Sequence, residues 1–428
     1  MIRYRALGAA GTMGESAHLV ELERAAVLLD AGCHPKTGAV ASPRAAQAAG
    51  ARAVVLSLAH LDHSGGLPIM LRGLPNTPVF ATAGTRALTG LALRDHLGRV
   101  RAQAGKGGLP FSEAERLGLP WSVRPFGLPM DLWTGGPRCT LHDAGHIAGA
   151  AGVLLEHAGR RLFYTGDTHL APRVWQRGAH WPAGPIDVLV MESTHGANPT
   201  LDDVEQPALE ARLADLLESV LAGGGQVLLP VFAFGKAQEM LAQLACLRRA
   251  GRLSHVPVYL GGLAARVNAL AERYTPHDAR RHADLTLDEV PVRPLMPAMA
   301  THPPSGPAIF LVGSGMLAEG SLAGTMADQL MPDSKNAVIF VGYLDPDTPG
   351  YELRGGGRPG AARIESVPFS AHARRTDLVA AAAAMAPRHI VLVHGEESAR
   401  LWLEAALMQR LPNTRIHRPM PDQVLELD

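Results

Sequence analysis

The sequence predicts an α/β fold in two parts: a layered sandwich of strands and helices, with a second α/β unit inserted into it. Three observations predict this. Through about residue 200, short apolar runs alternate with turns. From about Asp202 the pattern changes to long amphipathic helices and fully apolar strands. A last strand and helix then close the chain. Strands with helices between them form layers because each sheet face must be buried against another element.

Taken in order, residues 17–21 and 26–30 read as paired strands joined by a short turn. The apolar run 53–56 reads as a strand, followed by a loop through Gly66 and a helix beginning at Leu67. Residues 152–156 and 161–164 form another strand pair, split by His157-Ala158-Gly159-Arg160. Over residues 202–222, Leu209, Leu213, Leu216, Leu217, Val220 and Leu221 recur at helical spacing. Gly223-Gly224-Gly225 ends that helix. A buried strand at 226–230 and a helix at 235–247 follow. Strands at 258–260, 308–312 and 337–341 complete the inserted unit, with parallel pairing expected. A strand at 390–393 and a helix at 398–409 return to the first unit. There are no internal repeats and no low-complexity tail.

Composition narrows the functional classes. A chain of 428 residues with 47% hydrophobic content can bury sizeable cores, and 19% charged residues fits a loop-rich α/β enzyme. The 40 basic and 40 acidic residues balance, so global charge gives no case for a polyanionic partner, although a local groove can still be basic. Residues 201–370 carry 14 Lys/Arg and 19 Asp/Glu, a net of −5, so the inserted unit is not a basic clamp. Arg86, Arg94, Arg99, Arg101 and Lys106, opposed only by Asp95, form either a solvated helix face or a phosphate-tracking one. Cys33, Cys139 and Cys246 are isolated. They argue against a disulfide framework or a cysteine zinc site and fit a reducing cytoplasm. No segment has the order of a signal peptide, and no apolar run reaches the ~18 residues that span a bilayer. A soluble cytoplasmic protein is expected.

The chemistry concentrates at strand ends. Ser57-Leu58-Ala59-His60-Leu61-Asp62-His63-Ser64-Gly65-Gly66 places two imidazoles and a carboxylate in one short stretch. Such donors suit zinc or manganese. His146 lies in Asp143-Ala144-Gly145-His146-Ile147-Ala148-Gly149, Asp167 directly follows a strand, and His394 opens the turn after 390–393. Asp30 ends a strand at Leu29-Asp30-Ala31-Gly32. A lone strand-end histidine is usually structural and a glycine-flanked aspartate is usually a turn residue. Six of these, His60, Asp62, His63, His146, Asp167 and His394, each on a strand-end loop, can instead converge on one site.

The first of these segments is one residue short of the His-x-His-x-Asp-His signature of metallo-β-lactamase-fold hydrolases, with Leu58 standing where the first histidine belongs. The set as a whole resembles that superfamily, and later motifs are similar to its β-CASP branch of nucleases. These are Met191-Glu192-Ser193-Thr194-His195-Gly196 (usually Glu-Ser-Thr-Tyr-Gly), Pro230-Val231-Phe232-Ala233-Phe234-Gly235-Lys236-Ala237-Gln238-Glu239, Gly313-Ser314-Gly315-Met316-Leu317, Phe340-Val341-Gly342-Tyr343, Phe369-Ser370-Ala371-His372-Ala373 and Val393-His394-Gly395-Glu396. With Leu7-Gly8-Ala9-Ala10-Gly11 at the start, the likeness covers nearly the whole chain. It implies a metallo-β-lactamase αββα sandwich, residues 1–200 and 369–428, with an inserted β-CASP cap at 201–368.

The resemblance also implies roles. His60 and His146 would hold a first metal, Asp62, His63 and His394 a second, and Asp167 would bridge them. Zinc, one ion or two, is the expected cofactor, with manganese as the alternative. Asp62, Glu192 and His372 would be catalytic, the last two as a carboxylate-held histidine that donates a proton to the leaving oxygen. Ser370 would contact a phosphate, and Asp30 would orient a ligand histidine. His394 at its motif resembles RNA-directed members, where DNA-directed ones carry valine. Pro368 stands where the exonucleolytic RNase J type has a histidine, which favours endonucleolytic cutting. No KH region or long C-terminal domain accompanies these motifs, so the compact bacterial relatives of the cleavage and polyadenylation endonuclease give the nearest likeness.

Leucine has no lone pair to donate, so Leu58 leaves the first position with fewer donors, and the second should fill first. His142 and His169 lie near ligands in sequence and are candidates to compensate. His195, in place of the usual tyrosine, is a second departure. Three readings follow: a metal-dependent RNA phosphodiesterase, a catalytically impaired paralogue binding RNA or protein, and a small-molecule metallohydrolase. RNA is the implied partner, no membrane is expected, and a homodimer is one assembly the sequence allows.

Overall fold

The computed structural model describes residues 1–34, 46–104, 119–357 and 360–428. Of the basic stretch noted above, Lys106 and the side chain of Arg101 lie outside the described residues. Arg94 and Arg99 sit on the helix Ala83–Ala104, where Arg99 pairs with Asp95 at 3.1 Å and Arg94 donates to the Gly90 carbonyl. No described helix is long and apolar enough to cross a membrane.

The strands in chain order are β1 (Ile2–Ala6), β2 (His18–Leu22), β3 (Ala25–Leu29), β4 (Ala53–Val55), β5 (Val79–Ala81) and β6 (Trp121–Val123). Then come β7 (Met130–Asp131), β8 (Arg138–Asp143), β9 (Ala151–His157), β10 (Arg160–Tyr164) and β11 (Val188–Glu192). The inserted region holds β12 (Gln226–Pro230), β13 (Val258–Gly261), β14 (Val292–Leu295), β15 (Ala308–Val312), β16 (Ala337–Phe340) and β17 (Arg363–Ser366). The chain ends with β18 (His389–Val393), β19 (Arg415–His417) and β20 (Val424–Leu427).

Two compact units result: residues 1–172, 178–202 and 372–428 form one, residues 173–177 and 203–371 the other. In the first unit, one sheet runs β20-β1-β2-β3-β4-β5-β6 and the other β19-β18-β11-β10-β9-β8-β7. Their facing sides share one core, in which Tyr4, Val20, Val27 and Val55 meet Leu141, Val153, Leu162, Val188 and Val391. The outer face of the first sheet (Leu28, Val54, Val79) is covered by Leu67, Met70 and Leu74. The outer face of the second (Leu189, Ile390, Leu392) is covered by Leu378 and Met385 of the helix Arg375–Met385 and by Leu403 and Leu407 of Glu397–Arg410. This is an αββα sandwich. The hairpin β9–β10 turns through Ala158 at φ 47° and Gly159 at φ 73°, the left-handed pair that suits the twist of a tight hairpin.

The second unit is a six-stranded sheet of order β14-β13-β15-β12-β16-β17, parallel at every pairing. Val227, Leu228 and Leu229 are all buried although they point to alternate faces, as a parallel sheet covered on both sides requires. The segment Arg173–Arg177 packs in this unit: the backbone N–H groups of Val174 and Trp175 donate to the Glu239 carboxylate, and the Arg280 guanidinium stacks 4.3 Å from the Trp175 ring. Lys236, the first residue of the helix Lys236–Arg249, is buried, and its ammonium donates to the Phe369 carbonyl.

Burial pushes the Lys236 ammonium down to about 7, with Arg173 adding to the effect and Glu239 opposing it. An unfolded lysine titrates near ~10.4, so between these values the unfolded chain holds a proton that the folded chain lacks. Stability from this residue therefore rises as pH rises from about 7 toward ~10.4. Urea midpoints should climb between pH 7 and 9 in the wild type and climb less in Lys236→Met; parallel curves would count against it.

Candidate metal centre

Asp30 follows β3 at φ 60°, a left-handed conformation that aspartate tolerates better than most residues. Its carboxylate is fully buried and accepts four hydrogen bonds: from Ser57 N at 2.7 Å, Ser57 Oγ at 2.6 Å, Tyr164 OH at 2.7 Å and His63 Nδ1 at 2.7 Å. Gly32 lies against the next segment so closely that a Cβ there would sit 1.8 Å from the Asp62 carbonyl oxygen, so only glycine fits. The stretch read as a loop contains a helical turn, Leu61–Ser64, with His60 at its N-cap. That turn presents Asp62 and His63 on successive positions.

The other donors arrive on strand ends of the second sheet. β10, β11 and β18 are mutually parallel, so Asp167, Glu192 and His394 emerge at one edge. Gly166 at φ 55° turns the chain into Asp167, and Gly145 at φ 67° precedes His146. His394 is itself left-handed at φ 49°, held by a hydrogen bond from its N–H to the Ala9 carbonyl. A bulky residue in this region stores strain that is common at functional sites.

These residues form two groups of three whose donor atoms all lie within 4.8 Å of one another: His60, His146 and Asp167, and Asp62, His63 and His394. Glu192 joins Asp167 and His394 in a third. His146 Nε2 is 3.2 Å from His60 Nδ1 and 3.7 Å from Asp167 Oδ2. His63 Nε2 is 3.2 Å from Asp167 Oδ1, and His394 Nε2 is 3.3 Å from Asp62 Oδ2. Donors spaced by about 3.3 Å match a tetrahedral shell with ~2 Å bonds.

Two observations make this arrangement fit a divalent cation. His63 Nε2 and Asp167 Oδ1 are buried without a well-formed hydrogen bond, although buried polar atoms are normally paired. The donors are imidazole nitrogens and carboxylate oxygens, which suit zinc and manganese. The bond from His63 Nδ1–H to Asp30 leaves the Nε2 lone pair facing the other donors. Thr194 Oγ1, 3.1 Å from His394 Nδ1, donates to the His394 carbonyl and so accepts from the ring, turning His394 Nε2 toward Asp62.

Beside the two groups lies a carboxylate–imidazole pair. Glu192 Oε2 is 3.0 Å from His372 Nδ1, while Thr168 N donates to Glu192 Oε1 at 2.7 Å. The His372 ring centroid is 4.7 Å from that of His146. Burial disfavours a charged His372, but Glu192 and Asp167 outweigh it and lift the ring to about 9. The same balance holds His63 well above its usual value: burial opposes the charge, and Asp167, Asp62 and Asp30 favour it. Burial lowers His60. Asp62, which burial alone would raise, is brought down to about 2 by His63 and His394.

Comparison with known proteins places this geometry. Residues 26–202 match a β-lactamase superfamily domain, 237–353 a β-CASP domain, and 359–419 a Zn-dependent metallo-hydrolase RNA specificity domain. A ribonuclease of Thermus thermophilus is 33% identical over 430 residues, covering 94% of this chain and 95% of that protein. The transcription termination factor FttA of Pyrococcus abyssi is 30% identical, covering 96% of this chain and 69% of its own. The chain belongs to the β-CASP family of metallo-β-lactamase-fold hydrolases. The endoribonuclease ysh1 of Schizosaccharomyces pombe is 29% identical over 97% of this β-CASP chain, which spans 57% of that relative. A solved Enterococcus faecalis protein of unknown function shares the fold, with a TM-score of 0.57 at 15% identity over 99% of both chains.

Within this β-CASP hydrolase, the structure brings together His60, Asp62, His63, His146, Asp167, His394, Glu192 and His372, with Asp30 behind them. Ser370 belongs to the other compact unit. Leu58 is buried, 1% exposed. Neither His142 nor His169 joins a donor group among the described residues: His142 packs edge-on against Phe163, and His169 bonds the Ala171 carbonyl at 2.7 Å. His195 packs edge-on against His372, with centroids 5.7 Å apart. Sequence reasoning missed Ser57, Tyr164, Thr168 and Thr194. The signal for Tyr164 is a hydroxyl ending an otherwise apolar buried strand; Thr168 contributes only its backbone N–H to Glu192 and leaves no such mark.

Asp30→Asn keeps the shape of the hub but loses its charge and one acceptor. Zinc affinity, measured by competition with a chromophoric chelator, should fall by about 10- to 100-fold. Wild-type affinity in this variant would rule out an orienting role for Asp30.

Proposed function

We propose that this β-CASP protein is a metal-dependent phosphodiesterase that cuts RNA internally. The observation that carries the reading is the buried Glu192–His372 pair beside two convergent donor groups. A cation held by the donor groups would supply the electrophile and the pair would supply an acid, which together make up the minimum for hydrolysing a phosphodiester. RNA as the substrate is supported by relatives that include a ribonuclease and an endoribonuclease, and by the RNA specificity domain matched at 359–419. His394 and Pro368 support the RNA-directed, endonucleolytic choice.

In this reading His60, His146 and Asp167 would hold one ion, and Asp62, His63 and His394 would hold another. Bound there, zinc or manganese supplies Lewis acidity to a phosphoryl oxygen and eases deprotonation of a water. The chain's own residues do the rest. Asp30 fixes the tautomer of His63, and Thr194 fixes that of His394. Glu192, anchored by Thr168 N, holds His372 Nδ1–H, and the proton the leaving oxygen needs comes from the His372 ring. Asp62 keeps its charge because His63 and His394 flank it. Ser370 is assigned to a phosphate oxygen. Three free cysteines fit action in a reducing cytoplasm.

Leu58 favours a second reading, a catalytically impaired paralogue that binds RNA or protein. It leaves the first position only His60, His146 and Asp167. Three protein donors are still enough for an open zinc site, so unequal filling is the expected consequence rather than loss of function. Hydrolysis of a simple ester with no action on RNA would instead identify a small-molecule metallohydrolase.

Metal analysis should find the wild type closer to one ion per chain and Leu58→His closer to two. On labelled RNA the wild type should cleave, and His372→Ala should lose about 10²- to 10⁴-fold in rate. An inert wild type that gains cleavage in Leu58→His would transfer the case to the impaired paralogue. The pH profile offers a separate check. Glu192 raises His372 above the ordinary histidine value, so the ring stays a proton donor further into alkaline pH than a free imidazole and loses the role beyond that. Glu192→Gln removes the charge that lifts it, so the alkaline fall in rate should move to lower pH.

A further inference from the structure

The geometry points to a base-stacking platform for single-stranded RNA on the inserted unit, formed by the rings of Phe232 and Tyr343; this deepens the RNA reading above and rests on it. In open parallel sheets, ligands bind beyond the carboxyl ends of the strands. β12 and β16 are hydrogen-bonded neighbours, with Val227 opposite Ala337 and Leu228 opposite Val338. Phe232 lies two residues past the end of β12 and Tyr343 three past the end of β16, so both follow the carboxyl ends of neighbouring strands. Contacts agree with the placement. A Cβ on Gly315, in the loop after β15, would lie 3.2 Å from Phe232 Cδ2, and one on Gly342 would lie 3.5 Å from Lys236 Cε. Lys236 in turn bonds the carbonyl of Phe369, the residue before Ser370. Phe232, Tyr343 and Ser370 therefore share one sheet edge.

At this edge the two aromatic rings turn outward while their neighbours turn in. Phe232 is 39% exposed and Tyr343 42%, whereas Val231 and Val341 are fully buried and Leu344 nearly so. Exposing a ring costs apolar burial that an inward-facing residue would gain. The surroundings select the ligand. Gly315 lies against Phe232 and Gly342 directly precedes Tyr343, so small residues border both rings. Two separate planar faces among small polar residues match successive nucleobases, each of which needs one ring. The charges nearby are acidic: Asp345 and Asp347 follow Tyr343, and Asp345 Oδ1 accepts the Asp347 N–H at 3.0 Å. Attraction to the two rings comes from stacking on bases and not from charge.

The test measures binding of a labelled oligoadenylate and of an abasic oligomer of the same length, by fluorescence anisotropy. All proteins carry His372→Ala so that the RNA stays intact. Phe232→Ala and Tyr343→Ala should each weaken oligoadenylate binding by at least about fivefold, since a stacked base contributes ~1–3 kcal/mol. Phe232→Leu, which keeps apolar bulk without a ring, should weaken it similarly, and Phe232→Trp should restore it. The abasic oligomer should bind all of them alike, and the salt dependence of RNA binding should not change. Unchanged oligoadenylate affinity in both alanine variants, full affinity in Phe232→Leu, or equal binding of the abasic oligomer by the parent protein would each overturn the platform while leaving the RNA reading intact. If the parent binds neither oligomer, the RNA reading itself fails and the platform falls with it.

Discussion

The carboxylate of Asp30 is the constraint on which the first unit's chemistry depends. It is fully buried between two apolar sheets, where an unpaired charge is intolerable, so every lone pair must find a donor. The donors come from three separate places: Ser57 beyond β4, His63 in the helical turn, and Tyr164 at the end of β10. One buried charge thus joins both sheets at a single edge and sets the ring of His63. The fit at Gly32, where a Cβ would collide with the Asp62 carbonyl, keeps the same strand end against the donor turn. Hub and turn therefore cannot move independently.

Around this hub the structure concentrates more negative charge than apolar walls ordinarily accept. Asp30, Asp62, Asp167 and Glu192 lie together, and histidines rather than arginines or lysines face them. That choice has a chemical consequence. Protons on His63 and His372 neutralise the cluster when no cation does, which is why both rings are held above their ordinary values. A guanidinium would neutralise it permanently and would close the centre to metal. Imidazole can give up its proton, so the same residues suit both states, and metal binding is coupled to proton release. Glu192 is itself held in place, because Thr168 N and the His372 ring both bond its carboxylate.

Much of this was legible in the sequence, for physical reasons that also mark where legibility ends. Strands buried on both faces are continuous apolar runs, so β12, β15, β16 and β18 could be read directly, and the glycine triplet after residue 222 ended its helix as expected. β14 and β17 could not be read in this way. They lie at the two edges of their sheet, and Val292, Arg293 and Pro294 are exposed, so no apolar pattern marks them. The six candidate donors stood out as a set, because each lies on a strand-end loop and their order resembles a known signature. Residues acting through a backbone N–H or a hydroxyl, such as Thr168 and Ser57, carry no such mark. The packing of Arg173–Arg177 with the inserted unit was equally hidden, since it depends on the Glu239 carboxylate, 64 or 65 positions away.

Leu58 is best understood against this background. It lies one residue beyond Ser57, whose N–H and hydroxyl both bind Asp30, so the backbone at this point is fixed by its neighbour and not by a ligand at position 58. A leucine can therefore fill the place without disturbing the hub, and it is buried as an ordinary apolar side chain. The donors that remain, His60, His146 and Asp167, are set by the helical turn, a glycine-flanked loop and a strand end, none of which needs residue 58. The substitution removes one lone pair and leaves the scaffold that positions the others. Under the proposed reading, its effect would fall on how tightly the first donor group holds a cation, while the Glu192–His372 pair and the second donor group keep their geometry.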